Sequence, residues 1–504
     1  MEHSFYNVRD FGAIGDGISL DTAALQAALD ACKKNGGTVA VPKGIYLTSS
    51  LRIYSNTMLQ LEDGTRLVAD EDEAHYGLPR GAYDGFYARD AKTLIGIEDG
   101  ALGVLEQLIL STKRGMTDCM IFAEDAENIS ITGGEINGNG EHFFTATEEG
   151  RYKPHLFRPQ MMVFKRCRGV YIHDTALKNA PYFNIRAIEC ENARFENLLI
   201  TTDIRYINTD GINVAACKGV SITGCRFVTG DDCIAISNGE FTPLMRDCED
   251  VTVSNCIVRT QANLVRVFNG IEADLAVDNG LGGEPLLSVA RKHAVRNVRV
   301  SDCTLEEGAC AINMIGVFGE IENVEFSKIT AEQAKTAIFM VIQKEGRIRN
   351  ITVRDSSMHA AGLATIQGTT RDSIAGVRLE SCDFHIAPSA RVFGNGLIDP
   401  LIHYWLAASA PYNLYIRHAS DVSVIDTRVR WDEESLRGIE RFALAENRPT
   451  EYEHLWREDM MPSDKFPCVN AYDVDGLQIR KLDASGYRGA EAVRTQKVEG
   501  MIIE

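Results

Sequence analysis

Three aspartates, Asp210, Asp231 and Asp232, lie about one repeat unit apart, in the segments NTDGI (208–212) and TGDDCIAI (229–236). Each segment leads into a short alternating strand, so we expect the three carboxyl groups to emerge on one face. Crowded carboxyl groups keep one proton available near neutral pH, and a paired acid and carboxylate can hydrolyse a glycosidic bond. Two alternatives remain, a Ca²⁺ site and ordinary turn residues. Because the acids come from neighbouring repeats, we expect a wide carboxyl separation of about 6.5–9.5 Å, which leaves room for water.

The elements that position these acids belong to a repeat of short strands. The position of Val170 recurs, mostly at steps of about 23 to 31 residues, at Ala193, Val220, Val251, Val298, Val324, Ile351 and Val377. Short period-2 strands at such a period predict an all-β fold, a parallel β-helix in which each turn is one rung of a solenoid. We expect roughly ten or more rungs.

We expect a single β-helix domain over residues 1–504. Within it, residues 1–70 form the N-terminal cap and first strands, 119–430 the main solenoid, and 431–504 a C-terminal insertion, last rung and cap. The solenoid needs caps because its sheet edges are open only at the two ends.

A helix is predicted near the N-terminus, with Asp21 as its N-cap and Gly36–Gly37 as its stop, and we expect it to close that end of the coil. The repeat is interrupted at 70–118, 270–294 and 385–470, where we expect walls of a binding site, a tail cap or oligomer contacts. A further helix is predicted over 431–447.

Outward residues of successive strands can be compared because stacked rungs lie about 4.8 Å apart. The alternation predicts one external column, which consists of Arg186, Asn213, Ala235, Arg266 and Ala311. The two arginines are candidates for substrate binding, and Arg266 has room because Ala235 and Ala311 flank it. Further candidates for substrate binding lie beside the column or in the 270–294 loop: Asn208, Asn213, Asn263, Asn313 and His293.

Composition narrows the class of partner. The chain has 504 residues, 45% of them hydrophobic, and a net charge of −19, which argues against nucleic acid or an anionic membrane as a partner. We identify no signal peptide and no membrane span. The thirteen cysteines are odd in number, and many recur at fixed phases of the repeat, as in Cys167, Cys190, Cys217 and Cys248. They are expected to be buried thiols, so a reduced, cytoplasmic protein is predicted.

The same segments resemble glycoside hydrolase family 28, the polygalacturonases and their relatives. NTDGI and TGDDCIAI resemble two family motifs, and NVRDFGAIGDG, ISITGGEINGNG and RPQMMVFKRCRGVYIHDTALKNAPYFNI resemble its N-terminal segment and early rungs. The similarity covers roughly residues 5–260, and beyond them mainly the rhythm of the rungs. It implies a right-handed parallel β-helix and inverting hydrolysis without metal or cofactor. By position, Asp231 would be the general acid, and Asp210 and Asp232 would hold and activate water.

Two family motifs are absent. Ala262 stands where the Gly-His-Gly motif has histidine, and Ala311-Ile312-Asn313 stands where the family has Arg-Ile-Lys. We therefore expect a pectin-derived oligosaccharide other than plain homogalacturonan, trimmed from one end, with Arg266 and Arg186 recognising it. Two other interpretations are a polysaccharide lyase, with Ca²⁺ and an arginine base, and a non-catalytic carbohydrate-binding β-helix. The C-terminal insertions are candidates for homo-oligomer contacts.

Overall fold

The computed structural model describes residues 4–76, 119–148, 152–155, 157–239, 246–270, 283–386, 413–431, 467–484 and 492–504. The chain divides into two compact units: unit 1 is Met1–Cys256 with Glu272–His293, and unit 2 is Ile257–Ile271 with Ala294–Glu504. Each unit is built from stacked parallel strands, which confirms the predicted all-β parallel β-helix. The single domain over 1–504 and its inner boundaries stay predictions.

The strands of unit 1 are short and follow one another closely. In chain order they are β1 (Phe5–Asn7), β2 (Asp16–Leu20), β3 (Gly37–Val41), β4 (Ile45–Thr48), β5 (Leu51–Arg52), β6 (Thr57–Leu61), β7 (Arg66–Ala69), β8 (Cys119–Glu124), β9 (Glu127–Thr132), β10 (Glu135–Asn137), β11 (Phe144–Ala146), β12 (Tyr152–Pro154), β13 (Gln160–Lys165), β14 (Arg168–His173), β15 (Ala176–Lys178), β16 (Ile185–Ile188), β17 (Glu191–Glu196), β18 (Leu199–Thr201), β19 (Ile212–Ala215), β20 (Lys218–Thr223), β21 (Arg226–Thr229), β22 (Ile234–Ser237) and β23 (Cys248–Ser254). In the described part of unit 1, three 3₁₀ helices cover Val8–Phe11, Glu73–His75 and Gly140–Phe143.

Three parallel sheets result. The first sheet stacks β1, β3, β6, β9, β14, β17, β20 and β23. The second stacks β2, β4, β7, β10, β15, β18 and β21. The third stacks β5, β8, β13, β16, β19 and β22. An antiparallel hairpin of β11 and β12 stands apart from them.

Unit 2 repeats this arrangement with longer strands. They are β24 (Ile257–Thr260), β25 (Asn263–Asn269), β26 (Ala294–Gly316), β27 (Glu320–Ile342), β28 (Arg347–Arg354), β29 (Ser357–Gln367), β30 (Ile374–Glu380), β31 (Asp383–Ile386), β32 (Leu414–Ile425), β33 (Arg428–Trp431), β34 (Val469–Arg480), β35 (Val493–Glu499) and β36 (Ile502–Ile503). β26 and β27 each run through all three faces of a rung and pair with each other almost throughout. β32 pairs residue for residue with β29 and β30, although β31 and β32 are separated by a long stretch of chain.

The N-terminal helix α1 (Thr22–Cys32) packs against β1, β3 and β5, the first strands of the first and third sheets, as a cap would. Its ends differ from the prediction. Asp21 occupies the N-cap position, but its carboxylate accepts hydrogen bonds from the amides of Ile14 (2.6 Å) and Gly15 (2.9 Å) instead of capping the helix. The helix ends at Cys32, before Gly36, because residues 33–35 already form a turn.

Most of the three interruptions of the repeat lies outside the described residues. Of 270–294, the structure describes Gly270 and residues 283–294, which include α2 (Gly283–Ala290). The helix predicted over 431–447 lies outside the described residues except for Trp431, which ends β33. Among the described helices, none is long and apolar enough to cross a membrane.

All thirteen cysteines are buried thiols outside any disulfide. Cys167, Cys190 and Cys217 stack at one corner of successive rungs, where each carbonyl accepts the amide that opens the next strand of the first sheet. The Cys190 amide also donates to the Cys217 sulfur (3.3 Å). The prediction that these residues are small buried hydrophobes in a column is confirmed, and the compartment stays a prediction.

Candidate functional site

The three aspartates converge at one edge of the third sheet of unit 1. Asp210 lies just before β19, and Asp231 and Asp232 lie just before β22. Ile212, the first residue of β19, lies in register with Ile234, the first residue of β22. One carboxylate oxygen from each residue lies within 4.8 Å of the others. The side chains are buried, with exposures of 6%, 8% and 2% for Asp210, Asp231 and Asp232. The sequence therefore located a real cluster, whose catalytic roles stay a prediction.

The turn that carries Asp231 is held tightly. The Gly230 amide donates to Thr209 Oγ1 (2.9 Å), whose hydroxyl donates to the carbonyl of Tyr206 (2.8 Å). Thr229 Oγ1 donates to the carbonyl of Asp231 (2.7 Å). A Cβ on Gly230 would lie 1.9 Å from the Tyr206 carbonyl oxygen, so the two chain segments approach too closely for any side chain there.

Asp210 is fixed through both its backbone and its carboxylate. Its carbonyl accepts from the amide of Asn184 (3.0 Å) and from Asn184 Nδ2 (2.8 Å). Its Oδ2 accepts from Asn213 Nδ2 (3.1 Å), three residues further along. A donor to an ionised oxygen stabilises the charged form, so this pair suits a carboxylate that stays ionised.

Asp231 is oriented by two donors, and one of them leads to a buried cation. Its Oδ1 accepts from the Asp232 amide (2.9 Å), and Asn208 Nδ2 lies 3.5 Å from its Oδ2. Arg158 donates to Asn208 Oδ1 (3.1 Å) and to the carbonyl of Ile207 (2.8 Å). Asn208, a predicted substrate-binding residue, thus lies between Arg158 and Asp231.

Arg158 was not among the predicted site residues. Its guanidinium lies over the rings of Tyr182 (4.4 Å) and Phe144 (5.4 Å). Burial lowers the pKa of Arg158 to about 10, although the charges of Tyr182, Asp231 and Asp210 act to raise it. It is therefore charged at neutral pH and offsets part of the negative charge of the cluster. The only sequence signal was its place in the family-like segment that begins RPQ.

The nearest oxygens of the three carboxylates lie close together, with one from each residue within 4.8 Å of the others. This distance joins single oxygens, so the expected separation of about 6.5–9.5 Å between whole carboxyl groups stays a prediction. Asp210 and Asp231 lie just before adjacent strands, which brings their carboxylates into one space. Such a cluster also satisfies the ligand preference of a hard cation, with Arg158 as a competing positive charge.

The predicted external column is correct within unit 1. Arg186 lies in register with Asn213, and Asn213 with Ala235. The column is not a solvated face, because these side chains are only 1%, 1% and 3% exposed. The Arg186 guanidinium lies 4.9 Å from the Phe183 ring and 3.5 Å from Gln160 Oε1.

In unit 2 the predicted register is wrong by two residues. Arg266 pairs with Asn313, not with Ala311, because Val265 lies opposite Ile312 in the hydrogen-bonded ladder. Arg266 is partly buried, and its guanidinium lies over the Phe268 ring (4.5 Å).

Two further predicted binding residues, Asn263 and Asn313, are hydrogen-bonded to each other, with Asn313 Nδ2 donating to Asn263 Oδ1 (3.0 Å). Ala262 and Ala311, which replace the family's polar residues, are fully buried.

His293, the remaining predicted site residue, belongs to unit 1. Its Nδ1 lies 3.3 Å from Asp247 Oδ1, and its carbonyl accepts from Asn238 Nδ2 (3.4 Å). None of its contacts within the described part of the chain is with the three aspartates.

Comparison with known proteins gives consistent matches. A model described as glycosyl hydrolases family 28 matches residues 106–244, and one described as rhamnogalacturonase A/epimerase, pectate lyase-like, matches residues 5–65. A "Probable polygalacturonase" of Vitis vinifera is 24% identical over 400 residues, which cover 76% of this chain and 74% of that one. An "Exopolygalacturonase" of Platanus acerifolia is 25% identical, and the match covers 47% of this chain and only 53% of the relative.

Among solved structures, the family 28 exopolygalacturonase of Yersinia enterocolitica matches with a TM-score of 0.55 at 16% identity, covering 99% of this chain and 78% of that chain. At that identity the likeness concerns the fold.

Proposed function

We propose that the chain is a glycosidase related to glycosyl hydrolases family 28, whose model matches residues 106–244, and that it hydrolyses pectin-derived oligosaccharides from one end, with inversion at the anomeric carbon. The observation that carries this proposal is the convergence of three buried aspartates within 4.8 Å at one edge of the third sheet. Exo action is supported by relatives that are named exopolygalacturonases.

In the proposed mechanism, Asp231 protonates the leaving oxygen while Asp210 and Asp232 position and deprotonate a water. Crowding of like charges favours one shared proton in such a cluster, which supplies the acid. Asn213 donates to Asp210 and so favours its ionised form, as a base requires. Arg158 reaches the acid through Asn208 and limits the electrostatic cost of placing three carboxyl groups together.

Substrate recognition in unit 1 is proposed to rely on Arg186 and on the polar residues near it, and Arg266 of unit 2 stays a predicted binding residue. A guanidinium matches a sugar carboxylate, and Arg186 is almost fully buried beside Gln160. Buried Ala262 and Ala311 offer no polar group where the family has histidine and arginine. We therefore propose a uronic-acid-containing oligosaccharide other than plain homogalacturonan.

The proposal is tested by a screen of defined pectic oligosaccharides, with the product anomer followed by proton NMR. We expect hydrolysis with inversion, reduced by about 10²–10⁴-fold in Asp231→Asn, because that is what general acid catalysis supplies. The matched control is Asp302→Asn, an exposed aspartate 3.5 Å from Lys328, which should keep full activity. A retained anomer would overturn the inverting mechanism, and unchanged activity in Asp231→Asn would overturn the assignment of the acid.

A second function, cleavage by a Ca²⁺-dependent lyase, is favoured by one observation: the three carboxylates can surround a cation. Activity abolished by a chelator, together with an unsaturated product that absorbs in the ultraviolet, would select the lyase. We propose the cytoplasm as the compartment, a proposal supported by thirteen buried thiols outside any disulfide.

A further inference from the structure

A polar face lies on three stacked strands of unit 2, far along the chain from the aspartates. Three successive strands, β32, β34 and β35, build it in register. Tyr415 pairs with Asn470 and Asn470 with Arg494; two residues later, Arg417 pairs with Tyr472 and Tyr472 with Gln496. Because side chains two apart on a strand share a face, these six residues form one patch, which we call the β32–β35 face.

Arg417 is a cation with neutral partners. Its Nε donates to His418 Nε2 (2.9 Å), its Nη1 to Tyr415 Oη (3.4 Å), and its guanidinium lies 5.1 Å from the centre of the Tyr472 ring. Since His418 accepts at Nε2, its proton lies on Nδ1, which contacts Asp473 (2.6 Å). Within the described ranges, no carboxylate lies within 4 Å of the Arg417 guanidinium, which is partly exposed and available to an anion.

Asn470 brings an unused donor to the same face. Its side chain is only 5% exposed, and its Nδ2 has no hydrogen-bond partner among the described residues. Buried donors are normally satisfied, so an orphan amide is a sign of an absent acceptor. Tyr415, which is 1% exposed, and Asn470 form the floor of the face, and Arg417 and Tyr472 its more exposed part.

The surrounding charges leave the face positive. Arg371 bridges Asp473 (2.7 Å) and Glu499 (3.0 Å), so these two acids share one arginine. Lys497 Nζ donates to Tyr472 Oη (3.0 Å). With Arg417 and Arg494, four cations thus face two carboxylates, in a chain whose net charge is −19. Such a local excess favours an anionic ligand.

We propose that the β32–β35 face binds an acidic saccharide, with a carboxylate on Arg417 and hydroxyl groups on Asn470 and Tyr415. One guanidinium surrounded by hydroxyl and amide groups fits a sugar acid, since each polar oxygen then has a partner. The choice of a uronic acid rests on the proposed function. The site is formed by residues other than those of the aspartate cluster.

The test uses the full chain with Asp231→Asn, so that ligand is not consumed, and titrates it with digalacturonate in a calorimeter. Neutral galactobiose and inorganic phosphate serve as comparison probes. We expect Arg417→Met to weaken one class of digalacturonate site by at least about tenfold, as loss of a hydrogen bond to a charged group does. Asn470→Ala should weaken it by about threefold or more. The control Arg378→Met removes an exposed arginine already paired with Glu380 (2.7 Å) and should change nothing.

The proposal would be overturned by equal affinity of Arg417→Met and its parent, by no binding of digalacturonate, or by equal binding of galactobiose. Tighter binding of phosphate than of digalacturonate would overturn the saccharide as the class of ligand. Thermal unfolding shows whether Arg417→Met is folded; if it is not, Arg417→Lys, which keeps the charge but loses the planar fork, should retain part of the affinity. Hydrolysis by the parent enzyme with unaltered binding in Arg417→Met would refute this inference alone. Binding that depends on Arg417 in a chain that hydrolyses no pectic oligosaccharide would refute the proposed function alone.

Discussion

Substitution of Gly230 by alanine should remove most of the activity without changing any polar group. Gly230 precedes Asp231, and a Cβ at this position would lie 1.9 Å from the carbonyl oxygen and 2.8 Å from the carbonyl carbon of Tyr206. The φ angle of Gly230 is outside the left-handed region, so alanine is excluded by the contact and not by its backbone preference.

The size of the effect follows from the distance. Real Cβ atoms do not approach backbone atoms within 3.0 Å, so the segments must separate by about 1.1 Å. Tyr206 is the firmer side, because its ring stacks on Phe144 (4.1 Å) and its carbonyl accepts from Thr209 (2.8 Å). Gly230 and Asp231 therefore move. A displacement of about 1 Å costs about 10²-fold in rate, or about 2.7 kcal/mol of transition-state stabilisation.

The assay is kcat on the best oligosaccharide of the screen, with thermal unfolding measured in parallel. We expect kcat to fall about 10²-fold in Gly230→Ala, and overpacking to cost about 1–3 kcal/mol of stability. Gly308→Ala is the control, because its Cβ would first meet the flexible end of Leu305 (2.9 Å), and it should keep its activity within about twofold. A Gly230→Ala enzyme with kcat within threefold of the parent would refute the argument that this turn positions the acid.

Three further predictions concern separate features. Arg158→Lys should lower kcat by about 10–100-fold, because an ammonium cannot reproduce the guanidinium contacts with Asn208 and two carbonyls; unchanged kinetics would contradict the link from Arg158 to the acid. Burial lowers the pKa of Lys335 to about 8, so its charge destabilises the folded state fully below pH 8, and this cost fades as the pH rises from 8 towards 10.5. Lys335→Met should therefore raise the free energy of unfolding by up to about 3 kcal/mol at pH 7 and by much less at pH 10. The control Lys218→Met removes an exposed partner of Glu249 and should not raise it. Denaturant unfolding at both pH values measures the effect, and equal gains at the two pH values would refute it. The thirteen buried thiols should react with a thiol reagent only after unfolding, because burial excludes the reagent and raises the pKa of Cys248, Cys382 and Cys468 to about 12; rapid reaction of several thiols in the native protein would contradict their burial.

The sequence predicted the third sheet of unit 1 well, for a physical reason. A slip of one residue would turn Ile212 and Val214 outwards and Asn213 inwards, so burial alone fixes the pairing of Asn213 with Arg186 and Ala235.

The same logic fails for Arg266, because a slip of two residues keeps every side chain on its face. Alternation alone therefore did not distinguish Ala311 from Asn313 as its neighbour, and only the hydrogen-bonded ladder does.

Arg158 was missed for a different reason. Its acceptors, among them the carbonyls of Pro181 and Ile207, come from other rungs, and no local sequence pattern predicts these contacts. Asp21 was assigned as a cap from its position, but the amides of the preceding turn compete for its carboxylate.

The pairing of β32 with β29 and β30 has a consequence for how such a chain can change over generations. The ladder closes residue for residue although a long stretch of chain separates β31 from β32. Closing a longer loop costs only slightly more entropy, so insertions between rungs leave the coil nearly as stable as before. During evolution the connecting segments can therefore be lengthened, exchanged or lost while the rungs keep their pairing. New specificities can arise in these segments without destabilising the coil.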